Sequence, residues 1–337
     1  MIFFLAGDPN PGASFFPAGA AQISFSLSSK GVPSRFRISA RVASGPSPHT
    51  FRFALRPLLD ETHTMAKLKL DAITAKQLED FVANDSDFAF EMKVLAQLRG
   101  LEFDCQHSGT YQDPVSDKIR QFDIRAEKKK ARYMLALAVE CKNLRPNYPL
   151  LLSAVPRTAT ESFHDVIIFQ EHQIVPSSRV DTITRDRSAY RQGEMVGKKT
   201  DQVGLDISHA FVSDDSATFE KLNQAVNSCK DLVRDLVFRS ALPYIRAILP
   251  VLVVPSGLLW QVDYADDGTI LKSPRQVDSA TLFLNHSWTV DRGHDGPLSY
   301  HLSHIEFVTL GALPDAVKTW MGSTGLFWSF WGQRQSS

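Results

Sequence analysis

Two charged residues end an otherwise apolar segment of this sequence. The segment MLALAVECKNL spans residues 134–144, and its apolar run finishes on Glu140 and Lys142, with one residue between them. Burying a carboxylate and an ammonium group beside a hydrophobic sheet is costly unless each group has a partner. Carboxylate oxygens are ligands of Mg²⁺. A second carboxylate beside this strand end would therefore indicate a metal site.

Asp123, in the upstream segment QFDIRA, can supply that second carboxylate. Strand side chains alternate between faces, so Asp123 shares a face with Arg125, and Glu140 shares a face with Lys142. If the two strands pair as a hairpin, Asp123 approaches both Glu140 and Lys142. Two carboxylates and one ammonium group would then form a cluster that suits Mg²⁺. The alternative is a rim ion pair between Glu140 and Lys142, with Asp123 a solvated strand residue.

Glu91 adds a fourth charged group, on a predicted helix over residues 86–100. On a helical wheel it falls between Leu95 and Leu98, inside the apolar stripe. A lone carboxylate at such a position needs a partner. The metal cluster or Lys142 would provide one, and a buried salt bridge is the alternative.

This set of residues resembles the PD-(D/E)xK nuclease superfamily, which has the restriction-endonuclease-like fold. The family pattern is an acid on the second core strand, acid-x-Lys on the third strand, and often a Glu on the preceding helix. The matching residues are Asp123, Glu140 with Lys142, and Glu91. The resemblance covers about residues 75–255. It is closest to the Mrr and Holliday-junction-resolvase branches, in which the motif ends in ECK.

The resemblance implies a metal-dependent DNA endonuclease that hydrolyses phosphodiester bonds in restriction, phage defence or repair. Asp123, Glu140 and the backbone carbonyl of Cys141 would hold Mg²⁺ or Mn²⁺. Lys142 would orient the attacking water or neutralise the reacting phosphorus centre. Glu91 would hold a water on the metal, position Lys142 or contact a second metal ion.

One residue departs from the family pattern: Phe122 stands where the family has a proline before the first acid. The alternative to an enzyme is a catalytically silent protein of the same fold that binds DNA or a protein partner. The intact set of Asp123, Glu140 and Lys142 argues against that alternative, because degenerate members of the family usually lose one of these residues.

DNA contacts would depend on local positive charge. The 37 Lys and Arg residues balance the 37 Asp and Glu residues, so no global basic field indicates nucleic acid. This balance favours a homodimer or a partner subunit over a strong autonomous DNA binder. The candidate DNA-binding residues are Arg125, Lys128, Lys129, Lys130, Arg191, Lys198, Lys199 and Gln202. The segment EKKKAR, residues 127–132, reads as a charged turn that would contact DNA, and the alternative is an ordinary solvated hairpin turn. The glycines of YRQGEMVGKKTDQ suit a loop.

The composition is that of a globular protein, with 43% hydrophobic and 22% charged residues. Three cysteines without a CxxC pair argue against a zinc site and a disulfide framework, and they favour a reducing cytoplasm. No apolar run reaches the ~18 residues of a membrane span. We therefore expect a cytoplasmic protein with no membrane partner.

Residues 1–64 differ from the rest in being rich in Ser, Pro, Ala and Phe. They read either as a transit-type leader or as translated upstream sequence before a start at Met65, and the second reading is favoured. In both cases we expect them to be disordered or loosely attached. Residues 65–337 would form one nuclease-like domain, with a core at about 75–255 and a β-rich extension at 256–337.

The elements that must position these residues predict an α/β protein. The expected fold is a restriction-endonuclease-like αβββαβ core with a mixed central sheet, extended by C-terminal β-strands. Ala136 and Ala138 are small, so that a helix can pack close to the strand face that carries Glu140. Residues 145–213 are expected to be irregular apart from one strand, HDVIIF. Three helices are predicted in the core region, over residues 74–84, 86–100 and 214–239, the last with an apolar stripe that begins at Phe219.

Overall fold

The computed structural model describes residues 71–84, 86–113, 117–170, 177–214, 216–239, 245–293 and 296–330. The predicted leader, residues 1–64, lies outside the described residues. The helices are α1 (Ala75–Asn84), α2 (Phe88–Gly100), α3 (Ser216–Phe238) and α4 (Leu313–Trp320). In the described part of the chain, no helix has the length and apolar character that crossing a membrane requires.

The strands run from β1 to β15. Their bounds are β1 (Asp104–His107), β2 (Thr110–Gln112), β3 (Ile119–Gln121), β4 (Ile124–Lys130), β5 (Tyr133–Cys141), β6 (Leu150–Pro156), β7 (Phe163–Gln170), β8 (Ser177–Thr184), β9 (Met195–Leu205), β10 (Phe211–Asp214), β11 (Ile245–Val254), β12 (Leu259–Tyr264), β13 (Ile270–Gln276), β14 (Ser279–Val290) and β15 (Leu298–Thr309).

A large mixed sheet organises these strands, in the order β1-β4-β5-β11-β15-β14-β9-β6-β12-β13. The pairs β1–β4 and β4–β5 are antiparallel, whereas β5–β11 and β11–β15 are parallel. Strand β7 pairs with β11 and β8, strand β10 pairs with β9, and β2–β3 is a separate hairpin. The prediction of an α/β protein with a mixed central sheet is confirmed.

Polar side chains just before the first two helices accept hydrogen bonds from backbone N–H groups near the helix starts. Before α1, the Thr74 hydroxyl accepts a hydrogen bond from the backbone N of Gln77 at 3.3 Å, and the Gln77 side chain accepts one from the backbone N of Thr74 at 2.9 Å. Before α2, the Ser86 hydroxyl accepts a hydrogen bond from the backbone N of Phe88 at 3.3 Å. These contacts satisfy N–H groups that have no partner within the helix.

The two faces of β5 pack against different helices. Leu135, Leu137 and Val139 pack with buried residues of α2 and α4. Met134, Ala136 and Ala138 pack with buried residues of α3. The alanines do admit a helix at close range, and that helix is α3. Each fully buried Val, Leu or Met side chain in these layers contributes about 1.5–3 kcal/mol to folding.

The strand predicted at HDVIIF is present as β7, but the rest of residues 145–213 is not irregular, and that part of the prediction was wrong. Strands β6, β7, β8, β9 and β10 lie in this region. The stretch MVGKKTDQ, residues 195–202, was predicted as part of a loop but belongs to β9, which pairs antiparallel with β6. Cross-strand pairing therefore outweighs the weak strand preference of its glycines.

Two further predictions need correction. Residues 127–130 belong to β4 rather than to a turn, because each pairs with a residue of β5 and the chain reverses only at 131–132. Phe219 is 62% exposed and does not join the apolar stripe of α3, which packs from Leu222 onward. The first turn of α3 borders a surface cleft, so Phe219 has no sheet to cover.

A candidate active site of two carboxyl groups and a lysine

Asp123 and Glu140 lie opposite each other at the open end of the β4–β5 hairpin. The antiparallel register pairs Ile124 with Val139. Asp123, the residue before Ile124, therefore lies across from Glu140, the residue after Val139. Asp123 Oδ2 accepts a hydrogen bond from the backbone N of Cys141 at 2.7 Å. The hairpin thus brings together the two carboxyl groups of the predicted cluster.

Glu140 is fully buried at the end of an entirely buried strand. Its Oε1 atom has no hydrogen-bond partner among the described residues. Burial raises the pKa of Glu140 to about 8, and the adjacent carboxyl group of Asp123 adds to this shift. Near neutral pH this side chain therefore holds a proton unless a cation replaces it.

Lys221, on α3, is the ammonium group that contacts both carboxyl groups. Its Nζ donates a hydrogen bond to Asp123 Oδ2 at 2.8 Å and one to Glu140 Oε2 at 3.2 Å. Burial alone would lower the pKa of Lys221, but the attraction of Glu140 and Asp123 outweighs it and raises that pKa. Lys221 therefore places one positive charge in contact with both acids.

Sequence reasoning missed Lys221, although a signal for it exists. Lys221 is followed at helical spacing by Ala225, Ser228 and Leu232, which are all buried. The helix face that carries them packs on β5, so a lysine in line with them points toward the sheet. The pattern of α3 could therefore predict that Lys221 points toward the sheet, but it could not predict that Lys221 contacts Asp123 and Glu140.

Lys142 lies beyond the end of β5, in a surface cleft of about 460 Å³ beside the cluster. Its backbone N donates to the carbonyl of Val253 at 3.0 Å, and its ammonium group makes no ion pair with a described residue. Burial lowers the pKa of Lys142; Asp87 opposes this shift and Lys221 adds to it. The predicted motif lysine is thus a neighbour of the carboxyl pair, while Lys221 is in contact with it.

Glu91 is partnered by His107, on β1, rather than by Lys142. His107 Nε2 lies 3.3 Å from Glu91 Oε2, and the two side chains are 17% and 14% exposed. Burial raises the pKa of Glu91, the charge of Asp123 adds to the shift, and the hydrogen bond to His107 opposes it. The charge of Asp123 therefore affects the pKa of Glu91, but the residue that Glu91 contacts is His107, which the sequence analysis did not identify.

Two of the candidate DNA-binding residues face the protein. The Arg125 guanidinium donates to Asp231 at 2.9 Å and to the Ser228 hydroxyl at 3.1 Å, and it lies over the ring of Phe122. The ammonium group of Lys128 donates to the carbonyl of Leu101 at 2.6 Å. Both cations tie helices to the sheet.

Lys129 and Lys130 are exposed at the far end of β4. At roughly 3.3 Å per residue, that end lies about 20 Å from Asp123. The remaining candidates lie on or beside β9, and Arg191 among them is exposed. Lys198 pairs with Glu161, and Lys199 pairs with Asp201 at 2.7 Å. Gln202 is buried against Thr218 and Tyr148. These candidates do not form one patch around the carboxyl pair.

The carboxyl pair has the donor chemistry of a site for a hard divalent cation. In the described part of the chain, no group of three or more His, Cys, Asp or Glu side chains is arranged to hold a metal ion. Mg²⁺, however, is usually bound through one or two protein carboxylates and keeps several waters. The unpartnered Oε1 of Glu140 beside Asp123 fits that requirement.

The site therefore consists of Asp123, Glu140 and Lys221 in direct contact, with Lys142 in the adjoining cleft and Glu91 paired to His107. Comparisons of the chain with protein-family models, with curated proteins and with solved structures find no match. The function of the site must be inferred from its own residues.

Proposed function

We propose that this protein is a metal-dependent DNA endonuclease of the PD-(D/E)xK type that hydrolyses phosphodiester bonds. The observation that carries the proposal is the fully buried Glu140 beside Asp123, with an oxygen that has no partner among the described residues. Burying such a group is costly unless a cation completes the site.

The order of elements supports the same family. The elements α2, β1, β4, β5, α3 and β11 follow the αβββαβ order expected of a restriction-endonuclease-like core, with the β2–β3 hairpin inserted between β1 and β4 and the strands β6–β10 inserted between β5 and α3. Asp123 directly precedes the second strand of that order and Glu140 lies on the third, which matches the strands that carry the acids of the family motif. The strands beyond β11 extend the sheet on the side away from β4.

Asp123, Glu140 and the backbone carbonyl of Cys141 would hold Mg²⁺ or Mn²⁺. When bound, such an ion lowers the pKa of a coordinated water and stabilises negative charge on the scissile phosphate. Glu140 supplies an anionic oxygen only after losing its proton, because its pKa is about 8. Metal uptake near neutral pH would therefore release a proton.

The positive charges of Lys221 and Lys142 would interact with the phosphate of the DNA. Lys221 contacts both carboxyl groups and places a positive charge next to them. Lys142 lines the adjoining cleft, where Asn143 and Arg145 also lie. A DNA backbone in this cleft would meet polar and cationic side chains on its way to the carboxyl pair.

A protein of the same fold that binds DNA or a protein partner without cutting is the second candidate function. The observation that favours it is the contact of Lys221 with both carboxyl groups. An ammonium group in this position can satisfy the two acids as an internal ion pair, with no metal required.

Cleavage of supercoiled plasmid and branched DNA in Mg²⁺ or Mn²⁺ tests the two functions against each other. The enzyme proposal expects cutting by the wild type and at least ~100-fold loss in Asp123→Asn and Glu140→Gln. Lys93→Ala, at an exposed position of α2, is the matched control and should cut normally. Binding of these DNAs in a gel-shift assay, with no cutting in either metal, would replace the enzyme proposal with the binding protein.

A further inference from the structure

A second cavity, of about 500 Å³, lies on the face of the sheet away from α3. Glu306, on β15, lines it and pairs with Val251 of β11, whose side chain packs in the layer of α2 and α4. Glu140 pairs with Leu252, the next residue of β11, whose side chain belongs to the layer that contains Leu222 and Ala225 of α3. The cavity is therefore on the opposite face of the sheet from the candidate active site.

Two buried polar side chains with free acceptor atoms line the cavity. Glu306 is 5% exposed, and its Oε1 accepts a hydrogen bond from the hydroxyl of Tyr190 at 2.8 Å. Gln261 is 8% exposed, and its Nε2 donates to Asp263 at 2.6 Å. Among the described residues, neither the second oxygen of Glu306 nor the oxygen of Gln261 has a hydrogen-bond partner. Burial raises the pKa of Glu306 to about 7, against the opposing effects of Tyr190 and Arg157.

Arg157, the one cationic side chain among the described residues that line the cavity, is already hydrogen-bonded. The Arg157 guanidinium donates to Glu194 at 3.0 Å, to the hydroxyl of Thr281 at 3.0 Å and to His304 at 3.2 Å. This network holds Arg157 against the wall and leaves its charge neutralised by Glu194. A phosphate or carboxylate ligand would find no free cation among the described lining residues.

The charge that remains in the cavity is negative. Asp278 and Asp315 are exposed and lie among the lining residues, whereas Glu306 is buried. No described Lys, Arg or His forms an ion pair with any of these three carboxyl groups. The hydrocarbon surfaces of Trp320 and Leu326 complete the wall. Acidic groups at the surface attract a cation, and a buried carboxylate with a free oxygen retains it.

We propose that this cavity binds a small aliphatic amine, whose ammonium group is received by the free oxygens of Glu306 and Gln261 and whose carbon chain packs on Trp320 and Leu326. The volume lies in the range of small-molecule sites. This site does not depend on the proposed nuclease activity.

Calorimetric titration of the full chain with putrescine tests the proposal. Two probes with the same four-carbon length serve as comparisons, the neutral 1,4-butanediol and the anionic succinate. The proposal expects one putrescine per chain and no heat of binding from the other two. Absence of putrescine binding, or equal binding of 1,4-butanediol, would overturn it.

Variants locate the binding. Glu306→Gln keeps an acceptor for Tyr190 but removes the charge, and it should weaken putrescine binding at least about tenfold, or ~1.4 kcal/mol. Asp315→Asn changes an exposed residue of α4 and should weaken binding by a smaller factor that shrinks in high salt. Glu102→Gln, at a carboxylate that is 86% exposed on the surface, should bind as the wild type does. Equal affinity of Glu306→Gln, Asp315→Asn and the wild type would overturn the assignment.

Discussion

The ammonium group of Lys221 lies 2.8 Å from Oδ2 of Asp123, although the two residues are 98 positions apart in the chain. This contact joins α3 to the start of β4 and places a positive charge between the acids of the candidate site. The same group reaches Glu140 at 3.2 Å. A cation is therefore already part of the site, and a divalent ion must share the two carboxyl groups with it.

Replacing Lys221 by methionine should separate metal binding from catalysis. Lys221→Met removes the charge that competes with a divalent ion, so Mn²⁺ should bind at least about tenfold more tightly, or ~1.4 kcal/mol. DNA cleavage should nevertheless fall, because the phosphate loses a neighbouring ammonium group.

Lys230→Met is the matched control for this change, since it makes the same substitution on α3 away from the carboxyl pair. It should leave both the Mn²⁺ affinity and cleavage unchanged. Weaker Mn²⁺ binding by Lys221→Met than by the control would contradict a competitive role for Lys221.

Glu140 should make the metal-free protein less stable as the pH rises. Its pKa is raised from 4.5 to about 8, so between these values the folded state holds a proton that the unfolded state has lost. The free energy of unfolding should then fall by up to ~1.4 kcal/mol per pH unit across this window, and the contribution is fully present only below pH 4.5.

Urea unfolding at several pH values between 5 and 8, without divalent metal, measures this slope. Glu140→Gln cannot titrate and should flatten it, whereas Glu102→Gln should keep it. An unchanged slope in Glu140→Gln would show that another group is responsible.

The prediction from the sequence succeeded where the relevant contacts are local. Asp123 and Glu140 meet because they belong to one hairpin, whose register follows from alternating side chains and a short turn. Lys221 and His107 were missed because their positions depend on how α3 and β1 pack on the sheet. A lysine or a histidine on a helix or strand is most often solvated, so its residue type alone carries little information.

Strands β8 and β10 show why residues 145–213 were misread as irregular. The exposure of β8 does not alternate regularly, and all four residues of β10 are exposed. Neither strand carries the apolar period of two that identifies a half-buried strand in a sequence. Pairing with a neighbouring strand defines them instead.

Arg125 should prove to be a structural residue rather than a DNA contact. Arg125→Met removes its ion pair with Asp231 and its hydrogen bond to Ser228, and it should lower the free energy of unfolding by about 2–4 kcal/mol. Lys129→Met, at an exposed position of the same strand, should change it by less than ~0.5 kcal/mol.

Urea unfolding of the two variants measures these differences, and a gel-shift assay at low salt measures DNA affinity. Equal stability of the two variants, combined with a selective loss of DNA binding in Arg125→Met, would contradict the structural role and show that Arg125 contacts DNA.

Calorimetric titration of Mn²⁺ at pH 7 tests most directly whether the Asp123–Glu140 pair is a metal site. We expect one ion to bind per chain, with proton release that appears as a dependence of the observed heat on the ionisation enthalpy of the buffer. Glu140→Gln should abolish both the binding and the proton release, and Lys93→Ala should retain both. Absence of Mn²⁺ binding to the wild type, or the same binding in Glu140→Gln, would contradict the metal site.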